Sequence, residues 1–266
     1  MGSYTSNDLE ICIATMNRSD LAFLESIFEM PVAQISSNIL IVNQTTHADL
    51  VSAFENIRVI NSPHFGLSRS RNLALENGQK ALCWFLDDDV VVTKNAVDDI
   101  LDAFNKDFAS VLKIFKIDGM DGKSFRKYAR DLKSPKNPAD LRGLCSIEMV
   151  VDRAEVLKTD VRFREDLGLG TSLPIGEEFV FAAQLLEKQM GISYESAVIA
   201  KHPSVHSASD IMNERVLAAR GKVYAILYPK SKTLQVLKYA FHLVQTGHVK
   251  SIGQFFNTYK QLKSTF

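Results

Sequence analysis

The sequence predicts an α/β protein built on a largely parallel sheet, with a helical extension at its C-terminus. Three observations carry that expectation. Strand and helix signals alternate through the first ninety residues, as they do in βαβ units. The strands are continuous apolar runs, the mark of strands covered on both faces. Of the 266 residues, 46% are hydrophobic and 23% charged, which suits a packed core and excludes a disordered chain.

The elements follow in order. Residues 11–15 (ICIAT) form the first strand. Asn17, Ser19 and Asp20 are capping residues ahead of LAFLESIFEM, whose Leu21, Leu24, Ile27 and Phe28 share a helical face, and Pro31 stops that helix. Residues 38–43 (NILIVN) make a second strand, 48–55 a short helix and 57–61 a third strand. A helix over 67–78 ends at Gly78 and leads to 81–86 (ALCWFL), a strand apolar on both faces and therefore central. A helix over 95–104 and a strand over 110–117 come next. The stretch 119–143 reads as a loop, with Pro135, Pro138 and seven basic against three acidic residues. Residues 145–151 (CSIEMVV) form a strand, 176–189 a strongly patterned helix, and 194–200 a late strand running into HPSVHS. There is no internal repeat.

Lys+Arg 31 against Asp+Glu 31 gives no net charge, which excludes a protein devoted to non-specific nucleic-acid binding. The balance hides an asymmetry. After Glu214 there is no acidic residue, while nine Lys and Arg follow it, leaving residues 1–214 acidic by nine charges. We therefore divide the chain into a main domain, 1–214, and a basic, apolar helical extension, 215–266. Cys12, Cys83 and Cys145 lie apart in apolar surroundings and read as buried thiols of a reducing compartment. The N-terminus has no basic segment followed by an apolar run, and no stretch approaches the roughly 18 apolar residues of a spanning helix. A cytoplasmic location is expected.

Four constellations carry chemistry. Asp87, Asp88 and Asp89 directly follow the central strand, where α/β sheets bind ligands. On an extended backbone Asp87 and Asp89 point to one side and can hold a hard divalent cation. A solvated acidic turn would look the same, but three adjacent like charges repel, and a cation removes that penalty. GLSRSRNLAL opens a helix with Arg69 and Arg71 in its first turns, a natural diphosphate site. Glu177 and Glu178 begin another helix, whose dipole favours an ionised carboxylate able to act as a base. His202 and His206 follow the last strand and are candidate ligands.

These pieces, in this order, resemble the family 2 glycosyltransferases over roughly residues 8–210. ICIATMNR is similar to that family's first strand and nucleotide-contacting turn, FGLSRSRNLAL to its arginine-bearing helix, and FLDDDV to its DxD metal motif. GEE resembles the Gly-Glu-Asp motif of the catalytic base, and HPSVHS the histidine segment near the metal. The resemblance implies a GT-A fold, a Rossmann-like mixed sheet flanked by helices. It implies inverting transfer from a nucleotide-diphosphate sugar, with Mn²⁺ or Mg²⁺ held by Asp87, Asp89 and His206. Glu178, or its neighbour Glu177, would be the base. Thr15, Arg18, Asn43, Gln44, Arg71, Asn72, Asp87 and Asp88 would bind the donor, a UDP-sugar first among candidates. Two departures are visible. The second strand ends IVNQT where consecutive aspartates are common, and Glu178 stands where Asp is commoner.

A saccharide or lipid-linked saccharide acceptor in cell-surface polysaccharide synthesis fits this picture. In the extension, Ile252, Phe255, Phe256, Tyr259, Leu262 and Phe266 fall on one helical face, with Lys250, Lys260 and Lys263 beside it. Such a helix suits the anionic inner face of a cell membrane or, equally, packing on the main domain. Two rivals remain on sequence alone. FLDDDVV also satisfies the hhhDxDxV pattern of haloacid-dehalogenase-type phosphatases, which need a later lysine and acidic pair. A non-catalytic sugar-nucleotide-binding protein would leave Glu178 dispensable.

Overall fold

The computed structural model describes residues 3–47, 49–128, 134–203 and 210–266. Among them one sheet contains β1 (Leu9–Met16), β2 (Asn38–Gln44), β3 (Ile57–Ser62), β4 (Leu82–Asp87), β5 (Val91–Val92), β6 (Ser110–Gly119), β7 (Met149–Asp152) and β8 (Gly191–His202). Their spatial order is β3-β2-β1-β4-β7-β6-β8-β5. Strands β1 to β4 pair in parallel, and β7 enters antiparallel between β4 and β6. The chain winds from β1 outward to β3, then returns to lay β4 on the other side of β1. That reversal opens a crevice at the carboxyl ends of β1 and β4. Ala14 is opposite Asp87 in the register, so Thr15 and the aspartates end up side by side.

The helices around the sheet are α1 (Phe23–Phe28), α2 (Leu67–Asn77), α3 (Ala96–Lys106), α4 (Arg153–Leu157) and α5 (Glu177–Glu187). Alternate residues of each central strand feed two cores. Ile11, Ile13, Ile41, Trp84 and Leu86 pack on α1 and α3. Cys12, Val42, Cys83 and Phe85 pack on α2, α4 and α5. Both faces are buried, and this is why the strands read as unbroken apolar runs. The Trp84 indole N–H donates to the Ile147 carbonyl at 3.0 Å, so its one polar atom is satisfied.

Two expected elements differ. Residues 49–56 form no helix, because the Asn61 side chain takes both backbone groups of Leu50 in hydrogen bonds of 3.0 and 2.9 Å. The first half of the expected strand 145–151 is a 3₁₀ turn, Ser146–Glu148, and the strand starts at Met149. Buried Glu148 is the cause. Its carboxylate accepts the Cys145 N–H at 2.9 Å, Arg126 at 2.8 and 3.1 Å, and the Tyr128 hydroxyl at 2.7 Å. A buried carboxylate needs such a set of donors. It also ties the loop after β6 to the entrance of the crevice.

The C-terminal residues form α6 (Glu214–Leu227), α7 (Lys232–Gln245) and α8 (Ile252–Lys263), around Leu217, Tyr224, Val236, Ala240, Leu243 and Leu262. The apolar stripe of α8 divides. Phe255, Tyr259 and Leu262 pack inward, while Ile252 is 78% and Phe256 64% exposed. Among the described residues no helix is long and apolar enough to cross a membrane. α8 crosses α6 at Gly221, where an added Cβ would lie 1.7 Å from the Leu262 carbonyl oxygen. Gly221→Ala should therefore push the two helices apart and cost about 1–3 kcal/mol. A melting temperature within 1 °C of wild type would show that this crossing is not tight.

Candidate active site

The crevice is a cavity of about 750 Å³. The end of β4 and the turn after it supply Asp87, Asp88 and Asp89, and these three side chains part company. Asp88 turns toward β1, accepting a hydrogen bond from Thr15 Oγ1 and an ion pair from Arg18 at 2.7 Å. Asp87 and Asp89 turn the other way and meet His202 at the end of β8. One ligand atom from each of the three lies within 4.8 Å of the others. His202 Nδ1 sits 2.7 Å from the Pro203 carbonyl, which selects the tautomer with the Nε2 lone pair facing Asp89, 3.6 Å away. Partial burial, with the charges of Asp87 and Asp88, raises the Asp89 carboxyl above its ordinary value despite His202. Asp87 Oδ1 is buried without a hydrogen-bond partner. This donor set, two carboxylates and one imidazole, fits a divalent cation. The histidine brought here is His202; His206 lies outside the described residues.

Arg71 is the centre of the other half. Its side chain, 2% exposed, reaches Glu177 and Glu178 at 3.1 Å each, Asp87 at 3.5 Å and Ser146 Oγ at 2.6 Å. Burial alone would lower its pKa, but Glu178, Asp87 and Glu177 outweigh that and hold it above its ordinary value. The guanidinium is thus already matched by carboxylates. Arg69, one residue pair earlier, points outward to Glu165 at 3.0 Å.

The two glutamates differ in environment. Gly176, at φ 101°, caps α5 in a left-handed conformation, and an added Cβ would meet Val223 at 2.4 Å. Glu177 is nearly enclosed, with a side chain 4% exposed, against 15% for Glu178. Burial, then the charge of Glu178, pushes the Glu177 carboxyl up to about 8 against the pull of Arg71. Burial thus favours the protonated form of Glu177. Glu178 is the carboxylate that a molecule in the cavity can reach.

Of the expected donor-binding residues, Thr15, Gln44, Arg71, Asp87 and Asp88 line the cavity. Gln44 clasps Gly66, its Nε2 donating to the carbonyl at 2.8 Å, and so sets the start of α2. Three others sit behind the wall. Arg18 clamps Asp88. Asn43 is buried, bonded to the Arg18 backbone at 3.1 Å and to Asn61 at 2.9 Å. Asn72 is spent on both backbone groups of Phe163, at 2.8 and 2.9 Å. Sequence reasoning missed Ser146, Arg142, Arg220 and Tyr224, all of which line the cavity. The absence of acidic residues after Glu214 was the one signal that Arg220 has work other than pairing.

The fold is similar to that of TarS from S. aureus. Residues 1–349 of that protein give a TM-score of 0.55 at 12% identity, covering 96% of this chain and 90% of that one. The same fragment in complex with UDP-GlcNAc gives 0.57 at 13% identity, covering 97% and 90%. The longer TarS structure gives 0.56 at 14%, with 97% of this chain and 55% of that one covered. No curated protein sequence matches this one. The model of the family described as "Glycosyl transferase family 2" matches residues 11–153, more than half the chain, from β1 through the aspartates to the end of β7. With the carboxylates at the end of β4, and with that match, the chain belongs to glycosyl transferase family 2 and is a glycosyltransferase.

Proposed function

We propose that the cavity transfers a sugar, with inversion, from a UDP-sugar to a hydroxyl of a saccharide or lipid-linked saccharide, in cell-surface polysaccharide synthesis. Mn²⁺ or Mg²⁺ would be held by Asp87, Asp89 and His202. The observation that carries this reading is the meeting of those three side chains one guanidinium away from Glu178. The TarS structures with UDP and UDP-GlcNAc support the choice of nucleotide. When bound, the cation would supply positive charge to the donor diphosphate and the departing UDP. Glu178 takes the proton of the acceptor hydroxyl while its oxygen bonds to C1. The bond from C1 to the phosphate oxygen breaks, and UDP leaves with the electron pair. Arg71 and Ser146 fix the direction of the Glu178 carboxylate, and protonated Glu177 keeps a further negative charge away from the phosphates. Thr15, Gln44 and Asp88 border the nucleoside end, with Arg18, Asn43 and Asn72 holding the walls behind them. No lysine among the described residues ion-pairs with Asp87, which leaves the phosphatase alternative without its cation.

The test is a melting experiment. UDP should stabilise the protein by several degrees with Mn²⁺ and far less in EDTA, since ligand held through a cation stabilises only when the cation is there. Asp89→Ala should abolish the difference. Equal stabilisation by UDP in EDTA would dismiss the metal.

For the extension we propose contact with the anionic inner face of the membrane. Leu234, Phe241, Ile252 and Phe256 are exposed large apolar side chains, and no acidic residue follows Glu214. Ile252→Ser with Phe256→Ser should weaken binding to phosphatidylglycerol vesicles and leave the melting temperature unchanged, because both side chains are already in water. Raising salt should weaken wild-type binding, each surface Lys or Arg contributing about 1 kcal/mol. Wild-type protein that ignores these vesicles at low salt would refute the contact.

A further inference from the structure

Two arginines of the cavity stand apart from the rest. Arg18, Arg58, Arg69, Arg71, Arg126, Arg162 and Arg164 each hold a carboxylate. Arg153 and Arg215 hydrogen-bond backbone carbonyls. Among the described residues, Arg142 and Arg220 alone do neither, and both line the active-site cavity. Arg220 lies on α6 with its guanidinium carbon 4.8 Å from the centre of the Tyr239 ring. Its Nε is buried with no hydrogen-bond partner. A buried, unsatisfied donor on a charged group is costly unless a ligand completes it. Tyr224, one helical turn further on, also lines the cavity. Burial raises the Tyr224 hydroxyl above its ordinary value, while the charges of Arg220 and then Arg142 oppose that shift.

The position of this group is informative. Val223, between Arg220 and Tyr224, fills the space beside Gly176 at the start of α5, next to Glu177 and Glu178. Arg142 precedes Ser146, which holds Arg71 at 2.6 Å. The unpaired positive charge therefore flanks the proposed base. Thr15, Arg18 and Asp88 form a separate, charge-balanced cluster at the end of β1.

We propose that Arg142, Arg220 and the Tyr224 hydroxyl form an anion subsite that holds a phosphate group of the acceptor, close to the hydroxyl that Glu178 deprotonates. The acceptor is then a saccharide that carries a terminal phosphate group. Two guanidinium groups with one hydroxyl match the three outer oxygens of a phosphomonoester, and fixing it beside the base orients the attacking hydroxyl. The identification of this end with the acceptor rests on the reading of Glu178 as the base.

The same oxyanion chemistry belongs to the donor diphosphate, and the experiment separates the two. In EDTA, full-length protein is titrated with inorganic phosphate and with glycerol 3-phosphate, followed by calorimetry. UDP with Mn²⁺ is titrated separately. Wild type should bind both phosphate probes, more weakly as salt rises. Arg142→Gln with Arg220→Gln should weaken them roughly tenfold or more and leave UDP–Mn²⁺ affinity within about twofold. Arg142 is exposed, so Arg142→Gln alone folds, and its own loss of phosphate affinity stands in if the double variant does not fold. Phosphate affinity unchanged by these substitutions, or no phosphate binding by wild type, would overturn the subsite. Parallel loss of UDP–Mn²⁺ affinity would overturn its assignment to the acceptor. Failure of UDP–Mn²⁺ to bind wild type would instead remove the reading of the whole cavity, while the phosphate titration still reports on the arginines.

Discussion

Glu178→Gln should lower sugar transfer by roughly 10²–10⁴-fold, the usual contribution of a general base, while UDP affinity with Mn²⁺ stays near wild type. The amide matches the carboxylate in size and still accepts a hydrogen bond from Arg71, so the site keeps its shape and loses its proton acceptor. The neighbouring substitution is the control. Burial favours the protonated form of Glu177, and an amide mimics that form, so Glu177→Gln should cost far less activity. It should also change how stability depends on pH. The folded value of Glu177, about 8, lies above the ordinary 4.5, so the folded chain holds a proton that the unfolded chain has released between those values. Its contribution to wild-type stability falls as pH rises from about 4.5 to about 8 and levels off above that. Glu177→Gln should remove this fall, seen as a melting temperature that gains on wild type with rising pH. An active Glu178→Gln beside a dead Glu177→Gln would move the base by one residue.

The parts of this site that the sequence disclosed are those written into short contiguous motifs. Asp87, Asp88 and Asp89 are adjacent, follow an unmistakable buried strand, and needed only the rule that ligands gather at strand ends. Glu177 and Glu178 were legible as a pair at a helix start. What separates them is the packing of Val223 and the depth of burial, and neither is written in GEE. Asn43 and Asn72 were harder. An amide at a strand end or in a helix has the same donors and acceptors whether it meets a nucleotide or a neighbouring backbone, and both are taken up by backbone and side chains of the fold. The expected helix at 48–55 failed for a similar reason. Helical patterning is a weak preference, and one distant amide, Asn61, captured Leu50. Arg220 and Tyr224 come from a segment outside the motifs and reach the cavity only because α6 packs against the start of α5.

Arg71→Met should be the most destabilising single change in the site. The arginine sits among Asp87, Glu177 and Glu178, and its removal leaves Asp87 and Glu178 without their cation beside the buried Glu177 carboxyl. Breaking a buried pair by deleting one partner costs about 3–5 kcal/mol, because an uncompensated charge stays behind. For a chain of this size, each kcal/mol corresponds to about 2–4 °C, so a fall on the order of 10 °C is expected. Arg71→Lys should rescue only part of it, since an ammonium cannot span both glutamates and Ser146 as the guanidinium fork does. The deficit should also depend on pH in a definite direction. Arg71 holds the Glu177 value down, so without it that value climbs further above 8, and the folded chain keeps its proton over a wider range. Stability of the variant then keeps falling above about pH 8, where wild type levels off, and the gap between them should be smaller at pH 7 than at pH 9. Adding Glu177→Gln to Arg71→Met should remove that continued fall, because an amide has no proton to lose. A variant that melts with wild type at both pH values would mean that the carboxylates do not rely on this arginine. The assignment of Glu178 as a base held in place by Arg71 would fall with it.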